Sequence, residues 1–93
     1  MDIRTFKLSS GEEIIGKVKH EDSDTFIIED VLLIVGQNTP QGMQVGLMPF
    51  MFSNPEGAIT IRRPHIMVEG KVSGDLEKGY IERTSKIAMA TSI

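Results

Sequence analysis

The chain contains no cysteine and no tryptophan, and aromatic residues make up only 5% of its 93 residues. The missing cysteines exclude a disulfide framework, a cysteine-ligated zinc site and thiol catalysis. No apolar run reaches the roughly 18 residues of a membrane helix, and residues 1–6 carry no apolar signal-peptide core. We therefore expect one small, soluble, cytoplasmic domain with no membrane contact.

Charge is scarce in the middle of the chain and unevenly placed elsewhere. The formal net charge is −3, which by itself argues against a polyanionic partner. Residues 1–30 hold four basic and eight acidic side chains, whereas residues 61–93 hold six basic and four acidic ones. The basic excess begins at Arg62 and Arg63, so a local basic site is compatible with the acidic whole.

Residues 31–55 contain no Asp, Glu, Lys or Arg at all. The polar and glycine-containing stretch 37–42 divides this region, so it predicts a hairpin of two apolar strands rather than one membrane span. Because one small barrel has a single interior, strands that are apolar on both faces predict a partner subunit. The alternative is that loops and a helix of the same chain cover the outer face.

Segments rich in β-branched and apolar residues alternate with turn residues up to position 72. The predicted strands are residues 5–8, 13–19, 25–29, 32–36, 43–50, 58–62 and 66–72. From Ser73, an N-cap type, a helix is predicted in which Leu76, Tyr80, Thr84 and Ile87 line one side. We expect a mainly β domain over residues 1–72 and a C-terminal helical extension over residues 73–93.

Two glycines in the first hairpin carry the most specific structural signal. Gly11 follows Ser9 and Ser10, a composition typical of a tight turn that needs a positive φ. Gly16 interrupts a β-branched run, which predicts a sharp bend or a close backbone approach. A bent strand at this point favours a small, strongly curved barrel.

These glycines belong to a pattern that resembles the Sm and LSm family, and most of all its divergent bacterial and phage members. The residues that match the first family motif are Leu8, Gly11, Gly16, Val18 and Asp22. The second motif is similar to residues 61–66, where Arg63 stands in place of the family's glycine. The resemblance implies a strongly bent, five-stranded Sm-like (SH3-like) barrel that assembles head to tail into a ring of about five to seven copies.

The resemblance also implies that single-stranded nucleic acid, RNA rather than DNA, binds near the pore of such a ring. Carried over by position, one loop supplies Arg62, Arg63 and His65, and the other supplies Asp22, Thr25 and Phe26. Adjacent guanidinium groups, an imidazole and an aromatic ring are the groups that contact phosphates and stack on bases. Two alternatives remain: a solvated strand end at Arg62 and Arg63 that pairs with Asp or Glu, and a structural or protein-interaction ring such as a phage-encoded adaptor.

Enzymatic motifs are incomplete in this chain. Residues 11–17 match a phosphate-binding loop in spacing, but Val18 replaces the magnesium-binding hydroxyl and Glu12 and Glu13 would repel phosphate. Residues 22–24 begin like a calcium loop, which then has Ile27 where it requires glycine. The two histidines lack metal-ligand spacing. We expect no catalytic activity, no metal and no cofactor.

Overall fold

The computed structural model describes residues 2–51, 53, 57–72 and 74–92, with residues 86–92 described by their backbone alone. Its elements in chain order are β1 (Ile3–Leu8), β2 (Glu13–Glu21), β3 (Thr25–Thr39), β4 (Gly42–Pro49), β5 (Ala58–Arg62), a 3₁₀ helix (Arg63–His65), β6 (Ile66–Lys71) and α1 (Gly74–Ser92). The predicted mainly β fold with a C-terminal helix is confirmed. The N-cap predicted at Ser73 lies outside the described residues, as does the side chain of Ile87.

The strands form one antiparallel sheet in the order β4-β3-β2-β1-β6, with β5 also paired to β3. Since β2 occupies one edge of β3, β4 and β5 must share the other edge, where they pair with residues 32–39 and 25–29 respectively. The six strands therefore occupy five positions across the sheet, because β4 and β5 share one position beside β3. The 3₁₀ helix joins β5, on one side of the sheet, directly to β6 on the other, so the sheet must curl to bring these two sides near each other.

Strand β3 corrects one prediction, because residues 25–29 and 32–36 belong to a single bent strand. Asp30 sits at the bend with a φ of 52°. The pairing of β2 with β3 is irregular there, stepping from Ile15–Leu32 to Lys17–Glu29. Gly16 fills that step, and a β-carbon on it would collide with the side chain of Ile28 and lie 3.3 Å from the carbonyl oxygen of Glu29. The close approach predicted at Gly16 is confirmed.

The bent sheet buries apolar side chains on both of its faces. The interior cluster contains Phe6, Leu8, Ile14, Phe26, Ile28 and Val31. On the outer face, α1 covers a second cluster of Ile3, Ile15, Leu32 and Tyr80. The alternative of a helix covering the outer face is therefore correct for β3, whereas Met43 and Val45 on β4 stay exposed.

Tyr80 connects α1 to the bend in β3. Its hydroxyl donates a 2.8 Å hydrogen bond to the main-chain oxygen of Asp30 and lies 3.3 Å from that of Glu29. The Asp30 carboxylate also pairs with Lys17 at 3.0 Å. Burial, with Asp30 and Glu29 nearby, raises the pKa of Tyr80 above its ordinary range. The helix thus helps to fix the bent conformation of β3 that curves the sheet.

Replacing Tyr80 with phenylalanine is expected to lower the free energy of unfolding by about 1 kcal/mol, because a carbonyl at the bend loses its donor. Urea denaturation at neutral pH measures this loss. The raised pKa adds a second readout, since the unfolded phenol ionises first and the wild type loses stability as pH rises above about 10. That alkaline loss should be smaller in Tyr80→Phe, and identical urea and pH curves would contradict the proposed role of the hydroxyl.

Candidate functional site

The fold brings together the two segments that the sequence predicted to form one site. The 3₁₀ helix packs against the turn between β2 and β3, where the Arg63 amide donates a 2.9 Å hydrogen bond to the Asp24 carbonyl. Arg62 is the pairing partner of Thr25 across β5 and β3. This contact region contains every predicted site residue except His65. The side chains of these five residues have different roles there.

Asp22 closes the turn between β2 and β3 with its own carboxylate. Its carboxylate accepts 2.8 Å hydrogen bonds from the amides of Asp24 and Thr25, and the Thr25 hydroxyl lies 3.2 Å from the same oxygen. The two amide bonds are the main cause that lowers the pKa of Asp22 to about 2. His20 approaches the second carboxylate oxygen at 3.3 Å. The carboxylate is therefore charged and engaged within its own turn.

Arg63 and Phe26 form a packed pair, and this corrects the predicted stacking role of Phe26. The Phe26 ring is 1% exposed and meets Phe6 edge-on, with ring centroids 5.1 Å apart. The Arg63 guanidinium lies 4.3 Å from the centroid of the same ring and donates a 2.6 Å hydrogen bond to the Asp22 carbonyl. A nucleobase has no access to this ring, because core side chains and Arg63 already cover it.

An ion-pair network extends from Arg63 to the beginning of β1, and it gives Arg63 the acidic partner that the strand-end alternative predicted without naming Glu21. Glu21 lies 3.7 Å from Arg63 and 2.8 Å from Arg4, which also pairs with Asp2 at 2.9 Å. The hydrogen bond from Arg4 is the main cause that lowers the pKa of Glu21. Glu21 is distant in sequence from both Arg4 and Arg63, and only the fold brings the three side chains together. Arg63 therefore has an acidic partner as well as an aromatic one.

Arg62 and His65 remain exposed and line a groove of about 560 Å³. The groove touches four consecutive residues, 59–62, although neighbouring residues of a strand point to opposite faces. It must therefore run along the edge of β5. The other lining residues are Leu8, Ser9, Ser10, Phe50 and Met51. An apolar lining with the Arg62 guanidinium and the His65 imidazole beside it can hold a ligand that is partly apolar and negatively charged.

Exposed apolar side chains mark the two outer edges of the sheet. On β4, Met43 is 67% and Val45 is 59% exposed, and on β6, Met67 is 66% and Val68 is 59% exposed. Each of these strands has one pairing partner among the described residues, β3 for β4 and β1 for β6. Open apolar edges of this kind favour strand pairing between copies.

No family model and no curated protein matches this chain. The Sm-like assignment therefore stays a prediction that depends on the motif residues. Within the described residues, no helix is long and apolar enough to cross a membrane. The same part of the chain holds no group of three His, Asp or Glu side chains arranged to bind a metal ion.

Proposed function

We propose that this protein forms a homo-oligomeric, Sm-like ring that binds single-stranded nucleic acid, RNA rather than DNA, without catalysing a reaction. The observation that carries the ring is the pair of open apolar edges at β4 and β6. If β6 of one copy extends the sheet at the β4–β5 side of the next, rotational repetition closes a ring of about five to seven copies. We place this ring in the cytoplasm, or in the host cytoplasm if a phage encodes it.

The proposed nucleic-acid contacts are Arg62 and His65, which stay exposed; Asp22 is also exposed, but its carboxylate is negatively charged and already accepts hydrogen bonds within its own turn. Each copy would present Arg62 to a phosphate and offer the adjoining groove to a base or ribose. A single arginine binds weakly, but a ring repeats it once per subunit along one strand of nucleic acid. Repetition thus offsets the acidic net charge of the chain.

A protein-interaction ring is the second candidate function, and one observation favours it. Arg63 and Phe26, the side chains best suited to phosphate contact and base stacking, are already engaged within the fold. The remaining groove has an apolar floor formed by Leu8, Ile59 and Ile61. Such a surface also suits a peptide segment of a partner protein.

Binding of labelled single-stranded RNA across a salt series is expected to separate the two candidates. Wild-type affinity should fall as salt rises, and the log–log slope should flatten by about 0.7 for each phosphate that Arg62→Ala no longer neutralises. Lys78→Ala is the matched control, because it removes one exposed positive charge from α1 instead. His65→Ala tests the second exposed residue.

Each variant must keep the oligomeric mass of the wild type for this comparison to count. Equal slopes for Arg62→Ala and Lys78→Ala would remove Arg62 from the binding site. If the assembled wild type binds neither RNA nor DNA at low salt, the nucleic-acid proposal is wrong, and the protein-interaction ring replaces it.

A further inference from the structure

A second groove lies on the outer face, between strand β4 and helix α1. Its volume is about 300 Å³, and it is lined by Val45 and Leu47 of β4 and by Asp75, Leu76 and Gly79 of α1. Leu47 and Leu76 pack against the buried cluster beneath α1, whereas Val45 is 59% exposed. The groove is therefore an apolar opening at the margin of the core, with one carboxylate beside it.

Gly79 gives this groove its depth. A glycine inside a helix lowers helix stability relative to alanine, and a β-carbon at position 79 would meet no atom within 4 Å. The backbone of Gly79 also lacks the positive φ that would require glycine. Packing within the chain thus leaves the glycine unexplained, and the space above it is open to a side chain from outside.

We propose that this groove receives Val68 of the neighbouring copy, an inference that depends on the ring assembly proposed above. Val68 pairs with Lys7 across β6 and β1. Because side chains alternate along β1, Lys7 lies on the same face as Ile3, which packs in the cluster beneath α1. Val68 therefore points to the α1 side of the sheet, and it is 59% exposed.

Val45 and Leu47 lie on that same side of β4, since Leu47 packs in the cluster under α1 and Val45 is two residues away. Neighbouring strands of the sheet are antiparallel throughout, so β4 and β6 run in the same direction. The proposed contact is a parallel pairing of β6 with β4 of the next copy, because only that direction keeps a side chain of the α1 side on the α1 side. Val68 then arrives beside Val45 at the mouth of the groove. Gly70, two residues further along β6, presents no side chain that would collide with α1.

The charges around the two surfaces favour a second copy over a polyanion. Asp75 lines the groove and would repel a phosphate backbone. Lys7, the cross-strand neighbour of Val68, would bring a positive charge to the same side of the contact. The open edge of β4 beside the groove supplies main-chain hydrogen bonds for the incoming strand.

Side chains of different size at position 79 test whether Val68 of the neighbouring copy binds in this groove. Gly79→Ala adds a β-carbon in open space and is expected to keep the oligomer and raise the melting temperature. Gly79→Met fills the groove and is expected to weaken association at least tenfold, measured by sedimentation equilibrium over a dilution series. Ser85→Met, on an exposed position of α1, is the matched control and should assemble like the wild type.

Intermolecular cross-linking gives a second readout, because the chain has no cysteine of its own. Protein carrying Val68→Cys is mixed with protein carrying Gly79→Cys and oxidised, and the mixed disulfide dimer should exceed that formed by Val68→Cys with Ser85→Cys. A wild type that is monomeric refutes the ring itself. If the wild type is oligomeric, Gly79→Met still assembles and no excess of the mixed dimer forms, then the ring stands and only the binding of Val68 in this groove is refuted.

Discussion

Val45→Glu is expected to convert the proposed ring into a folded monomer. Val45 is 59% exposed in the single chain, so a glutamate there remains solvated and costs the isolated fold little. In the proposed ring the same position lies between two copies, where each interface would bury an unpaired carboxylate. Light scattering should give about five to seven times the chain mass of 10.3 kDa for the wild type and the single-chain mass for the variant.

Leu47→Glu separates assembly from folding on the same strand. Leu47 is only two residues from Val45, yet it packs against the cluster under α1. Leu47 is partly buried, so a glutamate there would place a charge against that apolar cluster, and we expect a lower melting temperature in addition to dissociation. Circular dichroism distinguishes the two variants.

Ser85→Glu provides the charge control for both variants, because it adds one negative charge at an exposed position of α1. It should assemble like the wild type. A wild-type protein with the single-chain mass at micromolar concentration would refute the ring. An intact oligomer in Val45→Glu would remove the β4 edge from the interface.

The succession of elements could be predicted because local chemistry decides it. Gly11 adopts a φ of 105° in the first turn, as its position after Ser9 and Ser10 predicts. The polar tip of the uncharged region likewise marks the turn between β3 and β4. At these points no distant residue competes with the local preference.

The bend in β3 could not be predicted, because its cause lies elsewhere in the chain. Asp30 is a residue type that disfavours strands, which is why residues 25–36 looked like two strands. In the fold, Lys17 pairs with its carboxylate and the Tyr80 hydroxyl binds its carbonyl. Both partners are tertiary neighbours, so the local sequence around Asp30 does not contain them.

The resemblance implied that Arg63 and the turn at Asp22 lie in one region, and in the fold Arg63 does contact that turn. The burial of Phe26 did not follow from the resemblance. Whether Phe26 faces solvent depends on Phe6, which pairs edge-on with it, and on Arg63, which covers its face. An aromatic residue beside two arginines looks the same in a sequence whether it binds bases or completes a core.

Gly16→Ala is expected to destabilise the protein by about 1–3 kcal/mol, because the β-carbon would collide with Ile28 at the most curved part of the sheet. Gly79→Ala is the matched control, since its β-carbon meets no atom within 4 Å and the same exchange in a helix stabilises by about 1 kcal/mol. Both variants reduce the entropy of the unfolded chain in the same way. The urea midpoints of the two variants are therefore expected to shift in opposite directions, and the difference measures the effect of the close approach at Gly16. If Val45→Glu proves monomeric, both variants are compared in that background. Equal shifts would show that β2 and β3 can separate at Gly16 without loss, and the bend would then depend on Asp30 and Tyr80 alone.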